Sequence, residues 1–273
     1  GKLMMEPKSI SEAFMIEHAH LVDIPMYTPL KSGPRKGALR ITPGFADALK
    51  EACEAAGVPI FGETARGLIS SKAAERLGQR PAPTTRTRSM DRGSLLEHAA
   101  RILLSRYWKP INGVTFQPYG NNSGATPDGI VVDLVSSWQV KCPEDPGDLM
   151  LFADSVADGD FDALKAWNPI YAWQCMMEAK ATGCKTATFT LFTDRLDTHK
   201  ITPLEREEVQ IVMDSVAYAM GEQLNYPIFY KYESDGFAHI TRHFELTEER
   251  SKRIDQVLEA AEVECARFMA LMS

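Results

Sequence analysis

The sequence predicts an α/β or α+β domain with a mixed central β-sheet flanked by helices. Three observations carry this. Helix-period stretches come first, alternating and β-branched segments follow, and the two kinds then interleave. The 273 residues are 44% hydrophobic and 25% charged, the composition of an ordinary globular chain. A chain of this length buries a full core without a disulfide or metal staple. No apolar run approaches the roughly 18–20 residues of a membrane span, and no secretory signal opens the chain. The expectation is a soluble, cytoplasmic protein with no membrane partner.

Each element has its own reason. Residues 20–40 are rich in Pro and Gly and read as irregular. Thr42-Pro43 reads as N-cap and N1 of a helix that Gly57 closes, with Phe45, Leu49, Ala52, Cys53 and Ala56 at helical spacing. A second helix is expected from Asp91 to Tyr107, burying Leu95, Leu96, Ala99, Ile102, Leu103 and Tyr107. Residues 113–119 alternate, Asn121–Gly124 is a turn, and Ile130–Val135 is a β-branched strand run. Ser136-Ser137 turns the chain into a short strand over Trp138–Cys142, which faces the previous one. A helix over 168–182 stops at Gly183, and Thr186–Phe192 alternates as a strand. Pro203–Leu224 is a long amphipathic helix and Phe237–Phe244 another strand. Thr247 caps a C-terminal helix with Glu248 and Glu249 in its first turn.

The five cysteines, Cys53, Cys142, Cys175, Cys184 and Cys265, form no C-x2-C pair. They fit free thiols in a reducing compartment and give no zinc or iron–sulfur spacing. His18 and His20 read as solvated. The opening Gly1-Lys2-Leu3-Met4-Met5 looks like a tag remnant before a native Met4 or Met5.

The net charge of −7 argues, taken whole, against a nucleic-acid partner. It hides an asymmetry: residues 1–110 carry +6 and residues 111–273 carry −13. The basic excess lies in 66–92, where Arg66, Lys72, Arg76, Arg80, Arg86, Arg88 and Arg92 face only Glu75 and Asp91. Such a stretch is either a solvated loop or a local phosphate attractor. Residues 144–162 hold seven acidic residues and no Lys or Arg. They read as a solvated loop, or as a contact for the basic stretch of a neighbouring subunit.

The chemistry concentrates in Thr126-Pro127-Asp128-Gly129 and Gln139-Val140-Lys141-Cys142-Pro143. Residues two apart on a strand share a face, so Gln139 and Lys141 project together toward Asp128 across a hairpin. Hard oxygen ligands of this kind hold Mg²⁺. The metal polarises a phosphate and lowers the pKa of water, and a lysine positions the nucleophile and stabilises developing charge.

These stretches resemble the PD-(D/E)XK nuclease superfamily, and within it the phage lambda exonuclease type, or YqaJ-like viral recombinases. Gly93-Ser94-Leu95-Leu96-Glu97 is similar to that group's G-x-x-x-E helix. Thr126-Pro127-Asp128-Gly129 stands for its Ser-Pro-Asp-Gly, Lys141-Cys142-Pro143 for its Lys-Cys-Pro, and Tyr171-Ala172-Trp173-Gln174 for its Y-x-x-Q helix. The resemblance runs from about Arg66 to Phe192 and resumes over 237–271.

It implies a restriction-endonuclease-like core in residues 61–273, with residues 1–60 an N-terminal elaboration and about 196–235 an insertion. It implies metal ligation by Asp128, the Gln139 position, the Val140 carbonyl and Glu97, with Lys141 orienting water and Gln174 supporting it. A weaker match, Arg66 to Ser71, implies phosphate contacts at Arg66 and Ser70, joined by Arg86, Arg88 and Arg92 of the basic stretch. The implied activity is Mg²⁺-dependent (Mn²⁺ as a substitute) 5′→3′ exonuclease action on ends of double-stranded DNA. The product is a 3′ single strand for a single-strand annealing protein in a bacterial host. The implied assembly is a trimeric ring.

One departure stands out: the group carries Glu where this chain has Gln139. An amide oxygen is a weaker Mg²⁺ ligand than a carboxylate. Gln139 is either an engineered near-isosteric change or a natural residue. Two other readings stay open, a non-catalytic DNA-end-binding scaffold and an endonuclease of restriction or repair type.

Overall fold

The computed structural model describes residues 10–78, 86–108, 111–113 and 115–272. The expectations for Met4, Met5, Arg80 and Val114 lie outside these residues. The chain divides into two compact units. Within the described residues one comprises 10–78 and 252–272, and the other 86–251.

The chain enters through α1 (Glu12–His18) and a 3₁₀ turn, Ala19–Leu21. A two-stranded hairpin follows, β1 (Tyr27–Pro29) against β2 (Leu39–Ile41). Helix α2 (Phe45–Ala56) and helix α3 (Glu63–Gly78) complete the amino-terminal part. Phe14, Met15, Met26, Phe45, Leu49 and Cys53 form a small core of this unit. Phe45, Leu49 and Cys53 recur every four residues, so α2 turns one apolar face inward. Its start differs from the expectation: Gly44, at φ 81°, is the cap, and Thr42 instead bonds the Pro25 carbonyl at 2.6 Å. Gly57 ends the helix at φ 69°, a conformation glycine adopts without steric cost. His18 stacks on Phe14 with ring centroids 4.0 Å apart, so it is not simply solvated.

The larger unit opens with α4 (Arg88–Leu104), capped by Thr87. Its strands are β3 (Ile111–Asn112), β4 (Gln117–Tyr119), β5 (Ser123–Ala125), β6 (Gly129–Val131) and β7 (Ser136–Lys141). Then come α5 (Gly147–Ser155), α6 (Phe161–Trp167), α7 (Pro169–Thr182), β8 (Thr186–Thr193), β9 (His199–Lys200), α8 (Pro203–Leu224) and β10 (Gly236–Glu245). Helix α9 (Glu248–Ala270) begins here and continues into the first unit. No described helix is long and apolar enough to cross a membrane.

Six strands form one mixed sheet in the order β3-β6-β7-β8-β10-β9. β7 pairs antiparallel with β6 and parallel with β8, and every other pairing is antiparallel. The predicted α/β class with a mixed sheet is what the chain adopts. Alternate β7 residues face opposite helical layers. Trp138 and Val140 join Leu95, Leu96, Leu103, Val209, Met213 and Phe192 in a core shared with α4 and α8. Gln139 and Lys141 face the other way, toward α7. Helix α8, in the segment expected as an insertion, is part of this core through Val209, Met213 and Ala217.

Three local expectations are corrected. The run Ile130–Val135 is a strand only to Val131; Val132–Leu134 is a 3₁₀ turn and Val135 sits at φ 48°, because the hairpin reverses there. Tyr107 is 46% exposed rather than buried, since α4 has ended at Leu104. The acidic segment 144–162 is not an open loop but holds α5 and the start of α6, and three of its acids accept backbone N–H groups, Asp160 as the N-cap of α6. Asp145 accepts from Gly147 N at 2.8 Å and Asp160 from Ala163 N at 2.9 Å, while Asp158 accepts from His243 N at 2.6 Å.

Gly236 pairs with Lys200 of β9. A Cβ there would stand 2.6 Å from the His199 carbonyl oxygen and 2.9 Å from Asp197 Cα. Both neighbours are backbone and cannot move aside cheaply. Gly236→Ala is expected to cost about 1–3 kcal/mol, read as a lower urea midpoint with unchanged slope.

Candidate active site

Strand β7 runs three residues past the end of its pairing with β6: Gly129 pairs with Trp138, and no β6 residue reaches Val140. The Val140 N–H would be left without a ladder partner. Asp128 supplies one, its Oδ2 accepting that N–H at 2.8 Å. The same oxygen accepts from Gln139 Nε2 in a short contact. The carboxylate thus extends the ladder by one rung, which fixes it at the end of the hairpin beside the β7 side chains.

Helix α4 brings Glu97 to the same place. Arg101, one turn on, donates through Nη2 to Glu97 Oε1 at 3.1 Å and to the Asp128 backbone carbonyl at 2.7 Å. The helix and the hairpin are thereby tied at the site. Helix α7 contributes Gln174, whose Nε2 donates to Gln139 Oε1 at 3.0 Å and to Glu178 Oε1 at 2.9 Å. The Lys141 ammonium lies over the Tyr171 ring, 5.4 Å from its centroid, and makes no ion pair among the described residues. Glu97, Asp128, Gln139, Val140, Lys141 and Gln174, picked out over nearly eighty positions of sequence, come together in one cluster.

No family model matches the sequence, and no curated protein does. Among solved structures, a phage-related exonuclease from Haemophilus somnus 129PT superposes with a TM-score of 0.51 at 15% identity. That match covers 82% of this chain and 89% of the other. The fold is that of a phage-type exonuclease. An alkaline exonuclease from Laribacter hongkongensis matches at 17% identity and a TM-score of 0.49, over 78% of this chain and 88% of its own. At such identities the likeness is one of fold.

Within this exonuclease fold the cluster has an uneven charge balance. Burial first, and then the neighbouring Asp128 carboxylate, push the Glu97 carboxyl up to about 7, against the pull of Arg101 and Lys141. Burial also raises Asp128, although Lys141, the Val140 N–H, Arg101 and Gln139 all favour its charged form. Each carboxyl disfavours the charged form of the other, which adds to the effect of burial on Glu97. Glu178, deeper in α7, is raised by burial and by Asp128.

An all-oxygen set with surplus negative charge suits a hard divalent cation. Glu97, Asp128 and the Val140 carbonyl fit that role. Among the described residues no three His, Cys, Asp or Glu side chains are grouped so as to hold a metal ion. Gln139 departs from the expectation: its amide nitrogen faces Asp128, and its oxygen is taken by Gln174.

The expected phosphate contacts fare differently. Arg92 is a correction. It is 5% exposed and its donors are used internally, by Tyr230 Oη (3.0 Å), the carbonyls of Cys142 (3.0 Å) and Pro143 (3.1 Å), and Asp194 Oδ1 (2.9 Å). It braces the chain just after Lys141 and offers nothing to a phosphate. Arg86 is half-buried against Asp91 and Ser94. Arg88 is exposed at the start of α4. In the other unit, Arg66 pairs with Glu264 at 3.4 Å and lies over Phe268, and Ser70 bonds the Gly67 carbonyl at 2.9 Å.

Arg101 and Glu178 escaped the sequence reading. Both stand four residues after a candidate, Glu97 and Gln174, and that i,i+4 spacing was the available signal.

Proposed function

We propose that the chain is a Mg²⁺-dependent exonuclease that digests linear double-stranded DNA 5′→3′ and leaves a 3′ single strand for a single-strand annealing partner in a bacterial cytoplasm. The observation that carries this is the convergence of two coupled carboxyls, a strand lysine and an amide-bearing helix at the end of one hairpin, within an exonuclease fold. Glu97, Asp128 and the Val140 carbonyl would hold the cation, which when bound polarises the scissile phosphate and favours ionisation of water. Lys141 holds the attacking water in line and stabilises charge on the phosphate as it develops. Its ammonium, which pairs with no carboxylate among the described residues and lies over the Tyr171 ring, is placed to do so. Gln174 holds Gln139, and Arg101 ties the Glu97 carboxyl to the Asp128 backbone carbonyl. A trimeric ring around the duplex would supply processivity.

A second reading, a non-catalytic DNA-end-binding scaffold, is favoured by one observation: Gln139 spends its amide nitrogen on Asp128. One experiment separates the readings. Linear duplex labelled at the 5′ or 3′ end, and a closed circle, are incubated with Mg²⁺ and either this chain or Gln139→Glu. The expected result is loss of 5′ label, an intact circle, and faster digestion by Gln139→Glu. Lys141→Ala is expected to slow digestion by roughly 10²–10³-fold, as removal of a charge-stabilising donor does. Retention of label by both forms would defeat the exonuclease reading. Cutting of the circle would make the protein an endonuclease.

A further inference from the structure

The two site amides belong to a hydrogen-bonded chain that ends on Glu178. Gln139 Nε2 donates to Asp128, and Gln174 Nε2 donates both to Gln139 Oε1 at 3.0 Å and to Glu178 Oε1 at 2.9 Å. Each amide has two orientations, and its neighbours select one. Glu178 is 2% exposed, and its second oxygen, Oε2, has no hydrogen-bond partner among the described residues. Desolvating a carboxyl while leaving one oxygen unbonded costs stability, and an orphan of that kind in a well-packed helix calls for another role.

We propose that Glu178 is a positioning residue that sets the direction of this chain. By accepting from Gln174 it makes Gln174 a donor to Gln139 and so turns the Gln139 nitrogen, not its oxygen, toward Asp128. A carboxylate can only accept, so an ionised Glu178 fixes this direction; a protonated one keeps it while its O–H stays on Oε2 and Oε1 accepts, as here. The consequence for the site rests on the nuclease reading: Glu178 keeps the Gln139 oxygen away from the cation. Glu178→Gln removes that bias. A glutamine there can donate to the Gln174 oxygen, the chain can run backwards, and the Gln139 oxygen can turn to a cation on Asp128.

Two measurements test this. In Mn²⁺ titrations followed by electron paramagnetic resonance, Glu178→Gln is expected to bind the ion roughly tenfold more tightly, about 1.4 kcal/mol. The gain should vanish in a Gln139→Leu background, the signature of coupling through Gln139. The second measurement needs no metal. Asp128→Asn makes the near end of the chain neutral in direction, since an amide both donates and accepts. The Gln139 and Gln174 side-chain amides should then give one set of nitrogen–proton signals with Glu178 present, and shifted or doubled signals when Glu178→Gln is added. Glu178→Met serves the same comparison if the amide variant does not fold, which the same spectrum reveals. Identical Gln139 signals with and without Glu178 would overturn the proposal. If no form binds Mn²⁺, the metal-dependent nuclease reading falls, while the metal-free comparison still decides the role of Glu178.

Discussion

Arg92→Ala is expected to lower the free energy of unfolding by about 3–5 kcal/mol, the cost of breaking a buried ion pair from one side. The guanidinium side chain is 6% exposed and that of Asp194 is fully buried. Removing the cation leaves Asp194 with only the Tyr230 hydroxyl at 3.0 Å and the Glu233 N–H at 3.1 Å. It also takes the donor from the carbonyls of Cys142 and Pro143, the residues that follow Lys141. Urea denaturation gives the magnitude. Two controls fix the cause. Arg88→Ala, at an exposed position of the same helix, should change stability by no more than about 0.5 kcal/mol. The double change Arg92→Leu with Asp194→Leu should recover much of the loss, because a buried pair replaced whole leaves no stranded charge. A loss below about 1 kcal/mol in Arg92→Ala would show that the brace contributes little.

The metal-free protein should lose stability as the pH rises through the range in which Glu97 ionises. Its folded carboxyl titrates at about 7, against an ordinary value of 4.5. Below pH 4.5 the carboxyl is protonated in both states and contributes nothing. Between the two values the unfolded chain releases a proton that the folded chain retains, so unfolding becomes easier with each step up in pH. Above about 7 the full penalty applies, on the order of 3 kcal/mol. Glu97→Gln removes the titrating group, so its stability relative to the parent should climb across this window and level off above it. Mg²⁺ added at pH 8 should raise the melting temperature of the parent far more than that of Glu97→Gln. A stability difference between the two proteins that does not vary with pH would refute the raised carboxyl of Glu97.

The parts of the site set by local spacing could be read from the chain itself. Asp128 at the foot of a hairpin, Gln139 and Lys141 on one strand face, and a helix carrying Gln174 all follow from periods of two and 3.6 residues. Strands β6, β7, β8 and β10 and the helices α7, α8 and α9 were found within a few residues of their ends for the same reason, whereas the two-residue strands β3 and β9 were not. What depended on distant partners was hidden. Arg92 read as one more basic residue in a basic stretch, because the groups that consume it stand 50, 102 and 138 positions away. The acidic run at 144–162 masked α5 and α6, since Leu149, Phe152, Phe161 and Leu164 are a thin apolar signal among seven acids. The orientation of the Gln139 amide has no trace in composition or pattern. It is decided by hydrogen bonds to Asp128 and Gln174 that exist only after three elements have met.

The parallel pairing of β7 with β8 sets the order in which this site can assemble. The antiparallel hairpin of β6 and β7 joins residues as close as Val131 and Ser136 and can zip from its own turn. The β7–β8 pair joins Ser136 to Thr186, with α5, α6 and α7 lying between them. Closing so long a loop is slow, and its entropy is recovered only when the strands dock. Asp128 and Lys141 therefore acquire their places early, whereas Gln174 and Glu178 arrive with the crossover, late. A chain paired only at the hairpin would hold Asp128 and Lys141 on one sheet end yet lack the helix that orders Gln139. During synthesis the cluster would stay incomplete until the ribosome has released the strand beyond residue 186.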